Sequence, residues 1–263
     1  MMSFPSTIGA LNQLPAQEKR EIYAKIIPPE LLDMYQIQPD LKDQDGSDLF
    51  KVKCQPGAAD AELALYHQAG ASDPVLFGHI ADSINGQLHI LLYGMNDVES
   101  PRFNVDRLPD GTKTGFGTDH RNLEAEELAF KAGLAPGQIY RGPHLFKETL
   151  RQFESFVACM GQDLFFVEPL FYHVAIIFER YHFHYQSGKR LMKRINDGFS
   201  TDGDLLPLLD GSSTFRQPGA EKQIRLRSWA IHDNILGEPF SNVTMYKYID
   251  QGVKPCQDYP LPW

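Results

Sequence analysis

The chain has 263 residues, 42% hydrophobic and 22% charged, an ordinary globular composition long enough for one large domain with additions. Its formal net charge of −9 repels phosphate backbones and argues against nucleic acid as a general partner. Cys54, Cys159 and Cys256 are widely spaced and form no CxxC pair, which argues against a disulfide framework or zinc knuckle and points to a reducing cytoplasm. No basic-then-apolar leader opens the chain, and the greasiest stretch, 164–178, is interrupted by Glu168, Pro169 and His173 and is too short to span a bilayer. A cytoplasmic protein with no membrane partner is expected.

Leu14, Glu18, Ile22 and Ile26 recur at helical spacing, Pro15 suits a first turn, and Pro28-Pro29 ends the helix. A short helix carrying Leu31, Leu32 and Tyr35 follows, then a polar, turn-rich stretch at 40–47. Four strand-like runs come next, at 49–54, 61–67, 75–83 and 87–93, with Asn85-Gly86 between the last two. Asn-Gly favours a two-residue type I′ hairpin, a register that sets Asp82 directly across from His89. Residues 94–119 read as a long irregular loop, rich in Asn, Asp, Pro and Gly.

A helix over 121–132 is expected to bury Leu123, Leu128, Ala129 and Ala132, with Gly133 as its stop. The next helix starts near Pro143, carries Leu145, Phe146, Leu150, Phe153, Phe156, Val157 and Met160 on one stripe, and ends at Gly161. The all-apolar run 164–167 reads as a strand covered on both faces. A nearly all-apolar helix at 172–182, a strand at 183–185 and a helix at 189–199 follow. Beyond Gly203 only two strands are expected, at 224–230 and 243–249. This gives an α/β (α+β) protein: an N-terminal helical segment at 1–45, a core at 46–200, and a C-terminal extension at 201–263.

From Gly137 to Tyr185 the residues read GQIYRGPHLFKETLRQFESFVACMGQDLFFVEPLFYHVAIIFERYHFHY. This segment resembles the conserved half of the GNAT superfamily of N-acyltransferases. That half has a strand leading into an arginine-and-glycine loop, a helix, a strand, and a helix ending in a turn before a phenylalanine. The resemblance implies a mixed sheet with an antiparallel N-terminal meander, flanked by helices. It also implies binding of acetyl-CoA or another acyl-CoA by Arg141, Gly142 and His144, because backbone N–H groups at a helix start hold pyrophosphate. His144 and Phe146 stand where the family has its further glycines, and Phe178 stands where it often has a tyrosine. In this reading the hairpin strands line the acceptor cleft. His89 is then the candidate general base, oriented by Asp82, and the alternative is a solvent-side polar pair.

Other constellations have bland readings beside the chemical ones. Glu179 and His182 form a single Glu-x-x-His, with His173 and His184 nearby; a metal site needs more than this, and no metal is expected. Surface pairing of Glu179 with Arg180 or Lys189, and a helix-end role for His182, are the alternative. Arg225, Arg227 and Trp229 share a face if 224–230 is a strand, which suits a planar anion or structural salt bridges. Ser228, His232 and Asp233 contain the letters of a hydrolase triad without its Gly-x-Ser-x-Gly elbow. Lys189, Arg190, Lys193 and Arg194 form a basic helix face, either solvated or able to steer an acidic ligand. The leading expectation is an N-acyltransferase acting on a small-molecule or peptide amine. The alternatives are a GNAT-like domain that binds another small ligand or serves as a structural subunit, and a metal-dependent enzyme. A homo-oligomer is compatible with each.

Overall fold

The computed structural model describes residues 4–249, and Cys256 lies outside them. Eight α-helices and a seven-stranded mixed sheet make up the described residues. The helices are α1 (Ile8–Asn12), α2 (Ala16–Tyr23), α3 (Pro29–Met34), α4 (Leu123–Lys131), α5 (Phe146–Cys159), α6 (Tyr172–Arg180), α7 (Lys189–Gly198) and α8 (Ile224–His232). The strands are β1 (Phe50–Lys53), β2 (Asp60–Leu65), β3 (Leu76–Asp82), β4 (Leu88–Met95), β5 (Leu164–Val167), β6 (His184–Ser187) and β7 (Thr244–Tyr248). The sheet order is β1-β2-β3-β4-β5-β7-β6, with β1 to β4 antiparallel, β4 and β5 parallel, and β6 and β7 antiparallel. No helix among the described residues is long and apolar enough to cross a membrane.

The chain divides into two compact units. The first holds the described residues up to 99, 142–168 and 247–249. Alternation along β2 and β3 sends Ala61, Leu63 and Leu65, and Leu76 and Ile80, to one face, and these side chains are buried. The stripe of α5 supplies Phe153, Phe156, Val157 and Met160 to the same core, where Phe156 meets Phe4 and Tyr23 and Phe153 stacks on Phe165. Each such side chain contributes roughly 1.5–3 kcal/mol by leaving water. Asp82 points inward as well: its carboxylate accepts the N–H groups of Ile8 at 2.6 Å and Gly9 at 2.8 Å and so caps α1.

The β3–β4 turn departs from the expected hairpin. Ser83 N–H donates to Gln87 O and Gly86 N–H to Ser83 O, so Ile84, Asn85 and Gly86 form a three-residue loop. Only Gly86 takes a positive φ, +80°, whereas a type I′ turn needs two such residues. The extra residue slips the register by one: His89 faces Ala81, and Asp82 faces Leu88. Asp82 and His89 therefore lie on opposite faces of the sheet.

The second unit holds 100–141 and 169–246 of the described residues. Two further expectations change here. Residues 224–232 are a helix, because Ile224, Arg227, Ser228 and Ile231 are buried at helical spacing; the alternation of Arg225, Arg227 and Trp229 was accidental. In α4 the buried face is Ala125, Glu126 and Ala129, while Leu123 and Leu128 are exposed. Partners for Glu126, described below, set that rotation. Gly133 does end α4, at φ +86°, with Leu134 N–H returning to Ala129 O.

Candidate functional site

Within the first unit, β4 and β5 part after a short contact. On the β3 side, Ile90 pairs with Ile80 and Leu92 with His79, so Leu91 is an extra, bulged residue. A bulge bends and twists its strand. β5 pairs only with His89 and Ile90, and Glu168 N–H closes the contact on Ile90 O at 3.2 Å. β4 then runs on through Leu91–Met95. Asn96 N–H donates to Val75 O, which fixes the ladder phase: Leu92 and Gly94 turn their backbone groups toward β3. Those of Tyr93 and Met95 turn toward the side that β5 has left, where no strand pairs with them among the described residues. The Tyr93 ring packs edge-on against Phe153 at 5.0 Å, and burial of its hydroxyl pushes its pKa up, outweighing the Thr149 side chain beside it. Thr149 of α5 donates to Met95 Sδ at 3.5 Å.

At the point of parting, His89 Nε2 lies 3.2 Å from Glu168 Oε1, without the alignment of a hydrogen bond. The His89 side chain is 18% exposed and that of Glu168 48%, so an approaching molecule meets the carboxylate first. Burial lowers the His89 pKa below the ordinary 6.5, and the opposing pull of Glu168 is weaker. The imidazole is thus neutral at pH 7 and free to accept a proton. The partner expected for His89, Asp82, is engaged in capping α1, and Glu168 takes its place.

α5 begins at Phe146, three residues later than expected, and no side chain caps its N-terminus. Its first-turn N–H groups have no intrahelical acceptor. A Cβ at Gly142 would meet nothing within 4 Å, so the chain there is open. The exposed His144 adopts φ +60°, a left-handed conformation that costs a non-glycine residue about 1–2 kcal/mol. Arg141 is exposed, with its N–H on Ser100 Oγ at 3.2 Å and its guanidinium 3.5 Å from Ala132 O.

The second unit carries a closed charge network. Arg121 clasps Glu126 Oε2 through Nε at 2.9 Å and Nη2 at 2.6 Å, and Glu126 Oε1 lies 3.0 Å from His232 Nε2. Arg121 Nη1 also reaches Asp233, whose other oxygen accepts from Ser213 at 2.7 Å and Arg216 at 3.0 Å. Burial raises the Glu126 carboxyl, but His232 and Arg121 outweigh it and hold the group below the usual carboxylate range. Gly117 is packed so closely that a Cβ would sit 2.8 Å from Glu126 Oε1. The three residues with triad letters are separated in this network. Ser228 Oγ meets His173 Nδ1 at 2.9 Å, His232 meets Glu126, and Asp233 meets the two arginines.

The remaining motifs are structural in their contacts. Arg225 donates to Phe130 O and Leu134 O, and Arg227 to Glu221 O at 2.6 Å. Glu179 is buried and accepts from Tyr185 OH at 2.6 Å; His182, at φ +66°, lies in the turn that ends α6. No group of three or more His, Cys, Asp or Glu side chains among the described residues is arranged to hold a metal ion. On α7, Lys193 pairs with Asp197 and Arg194 with Asp204.

No protein family, curated protein or solved structure matches the chain. Sequence reasoning missed Glu168, whose signal was a carboxylate placed directly before the proline that stops a buried strand. It also missed Glu126, hidden inside a run of acidic residues on α4.

Proposed function

We propose that the chain is a GNAT-like N-acyltransferase that carries an acyl group from acyl-CoA to an amine. The observation that supports this reading is the parting of β4 from β5 beside the uncapped start of α5. The succession of an antiparallel meander, α5, β5, α6 and β6 agrees with it. An extended chain carrying amides, such as the pantetheine arm, would add to the backbone edge of Tyr93 and Met95 as another strand does. Its diphosphate would lie at the first turn of α5, with Gly142 and His144 giving backbone access and Arg141 adjoining in sequence. Glu168 would receive the acceptor ammonium, and His89 would take its proton. The freed amine attacks the thioester carbonyl, the C–N bond forms, the C–S bond breaks, and coenzyme A leaves as thiolate. Phe178 has no proton to give, so the surplus proton of the acylated nitrogen passes through water to the thiolate.

Phe178 also favours a second reading, a GNAT-like domain that binds a small ligand without transfer. Calorimetric titration with acetyl-CoA and coenzyme A tests the first. Absence of binding at sub-millimolar ligand would refute it, and binding without turnover toward any amine would select the second.

A further inference from the structure

The outer face of the first unit's sheet, opposite its core, carries a cross-strand row that runs across the candidate acceptor side. Asp60 of β2 faces Ala81 of β3, Ala81 faces His89 of β4, and His89 faces Phe166 of β5. Residues opposite each other share a face, so these four side chains stand in line. At one end Asp60 Oδ2 lies 3.0 Å from His79 Nε2; at the other, Glu168, two residues beyond Phe166, lies beside His89. Between them the half-buried Ala81 contributes only a methyl group, so the row dips there to a shallow trough between its polar ends. The Asp60 and Glu168 side chains are 54% and 48% exposed. Two strand spacings separate Asp60 from His89, about 10 Å. The neighbouring Glu62 differs, because Lys53 neutralises it at 2.9 Å. No lysine or arginine stands in the row itself.

We propose that the acceptor is an aliphatic diamine or longer polyamine, with one nitrogen at Glu168 and His89 and a second ammonium at Asp60. This rests on the acyl-transfer reading of the site. A monoamine fills only half of the trough and forgoes the second ion pair, whereas a chain long enough to cross Ala81 meets both carboxylates. Diaminopropane is too short for that crossing.

The test compares acyl transfer from acetyl-CoA to pentylamine, diaminopropane, diaminopentane and diaminooctane by the full chain. One half-exposed ion pair gives the longer diamines up to roughly a fivefold advantage in kcat/KM over pentylamine. Asp60→Asn should bring them down to the pentylamine level. Equal rates for all four amines, or an advantage that survives Asp60→Asn, overturn the proposal while leaving acyl transfer standing. If no amine is acylated, NMR titration of the histidine rings with diaminooctane separates the two ideas. Shifts at His79 and His89 that vanish in Asp60→Asn uphold the trough as a diammonium site and sink the transfer reading. No shift sinks the proposal.

Discussion

Lowering the pH from 6.5 to about 4.5 should remove roughly 2–3 kcal/mol of folding stability through His173. Its imidazole is buried in the second unit, with Nδ1 on Ser228 and its ring against Phe171. Burial, reinforced by the charge of His232, pulls its pKa from 6.5 to about 3. Above pH 6.5 the residue is neutral in both the folded and unfolded chain, and the group adds no pH dependence. Below that value the unfolded chain binds a proton that the folded one refuses until about pH 3. Stability therefore falls by about 1.4 kcal/mol per pH unit across the window. Burial lowers the His89 pKa as well, so it adds a share of the same sign. Glu126 and Asp233, held below their ordinary 4.5 and 3.8, add a loss of the same sign that opens as the unfolded carboxylates bind protons near those ordinary values, and so falls mostly below this window. Urea unfolding at a series of pH values, for the wild type and for His173→Gln, isolates the effect, since glutamine keeps a polar partner for Ser228 without titrating. Equal slopes for the two proteins between pH 6.5 and 4.5 would refute the reasoning.

Two substitutions test contacts that sequence reasoning did not foresee. Asp82→Ala removes both carboxylate bonds to the start of α1 and should cost about 1–2 kcal/mol in urea unfolding; a loss below a few tenths would mean that solvent replaces the cap. Glu126→Gln leaves Arg121 and His232 facing a neutral amide at a site 1% exposed and should cost about 3–5 kcal/mol, read from the denaturation midpoint. A neutral outcome there would mean that Asp233 carries Arg121 alone.

Elements with strong periodicity were legible in the sequence. The four strands of the meander, α5 with its aromatic stripe, and β5 all occur within a few residues of their expected limits, because one buried face decides each of them. Features set by distant partners were not. Whether Asn85-Gly86 makes a two- or three-residue loop depends on how β3 and β4 pack, and that one residue decided which carboxylate meets His89. The helix at Ile224–His232 looked like a strand because its arginines alternate, yet their guanidinium groups reach main-chain carbonyls elsewhere in the second unit. The face of α4 likewise depends on Arg121 and His232, and a rule that buries leucine before glutamate gets it backwards.

The bulge at Leu91 also gives β4 a means of reporting on itself. Amide hydrogens held in a ladder exchange slowly with deuterated solvent, and those at an unpaired edge exchange fast. Leu92 and Gly94 are locked against β3, while Tyr93 and Met95, alternating with them along the same strand, meet no strand on their own side among the described residues. Four consecutive residues thus carry two rulers, one fixed and one responsive. Whatever comes to lie along that edge would slow the odd-numbered amides and leave the even-numbered ones as an internal reference.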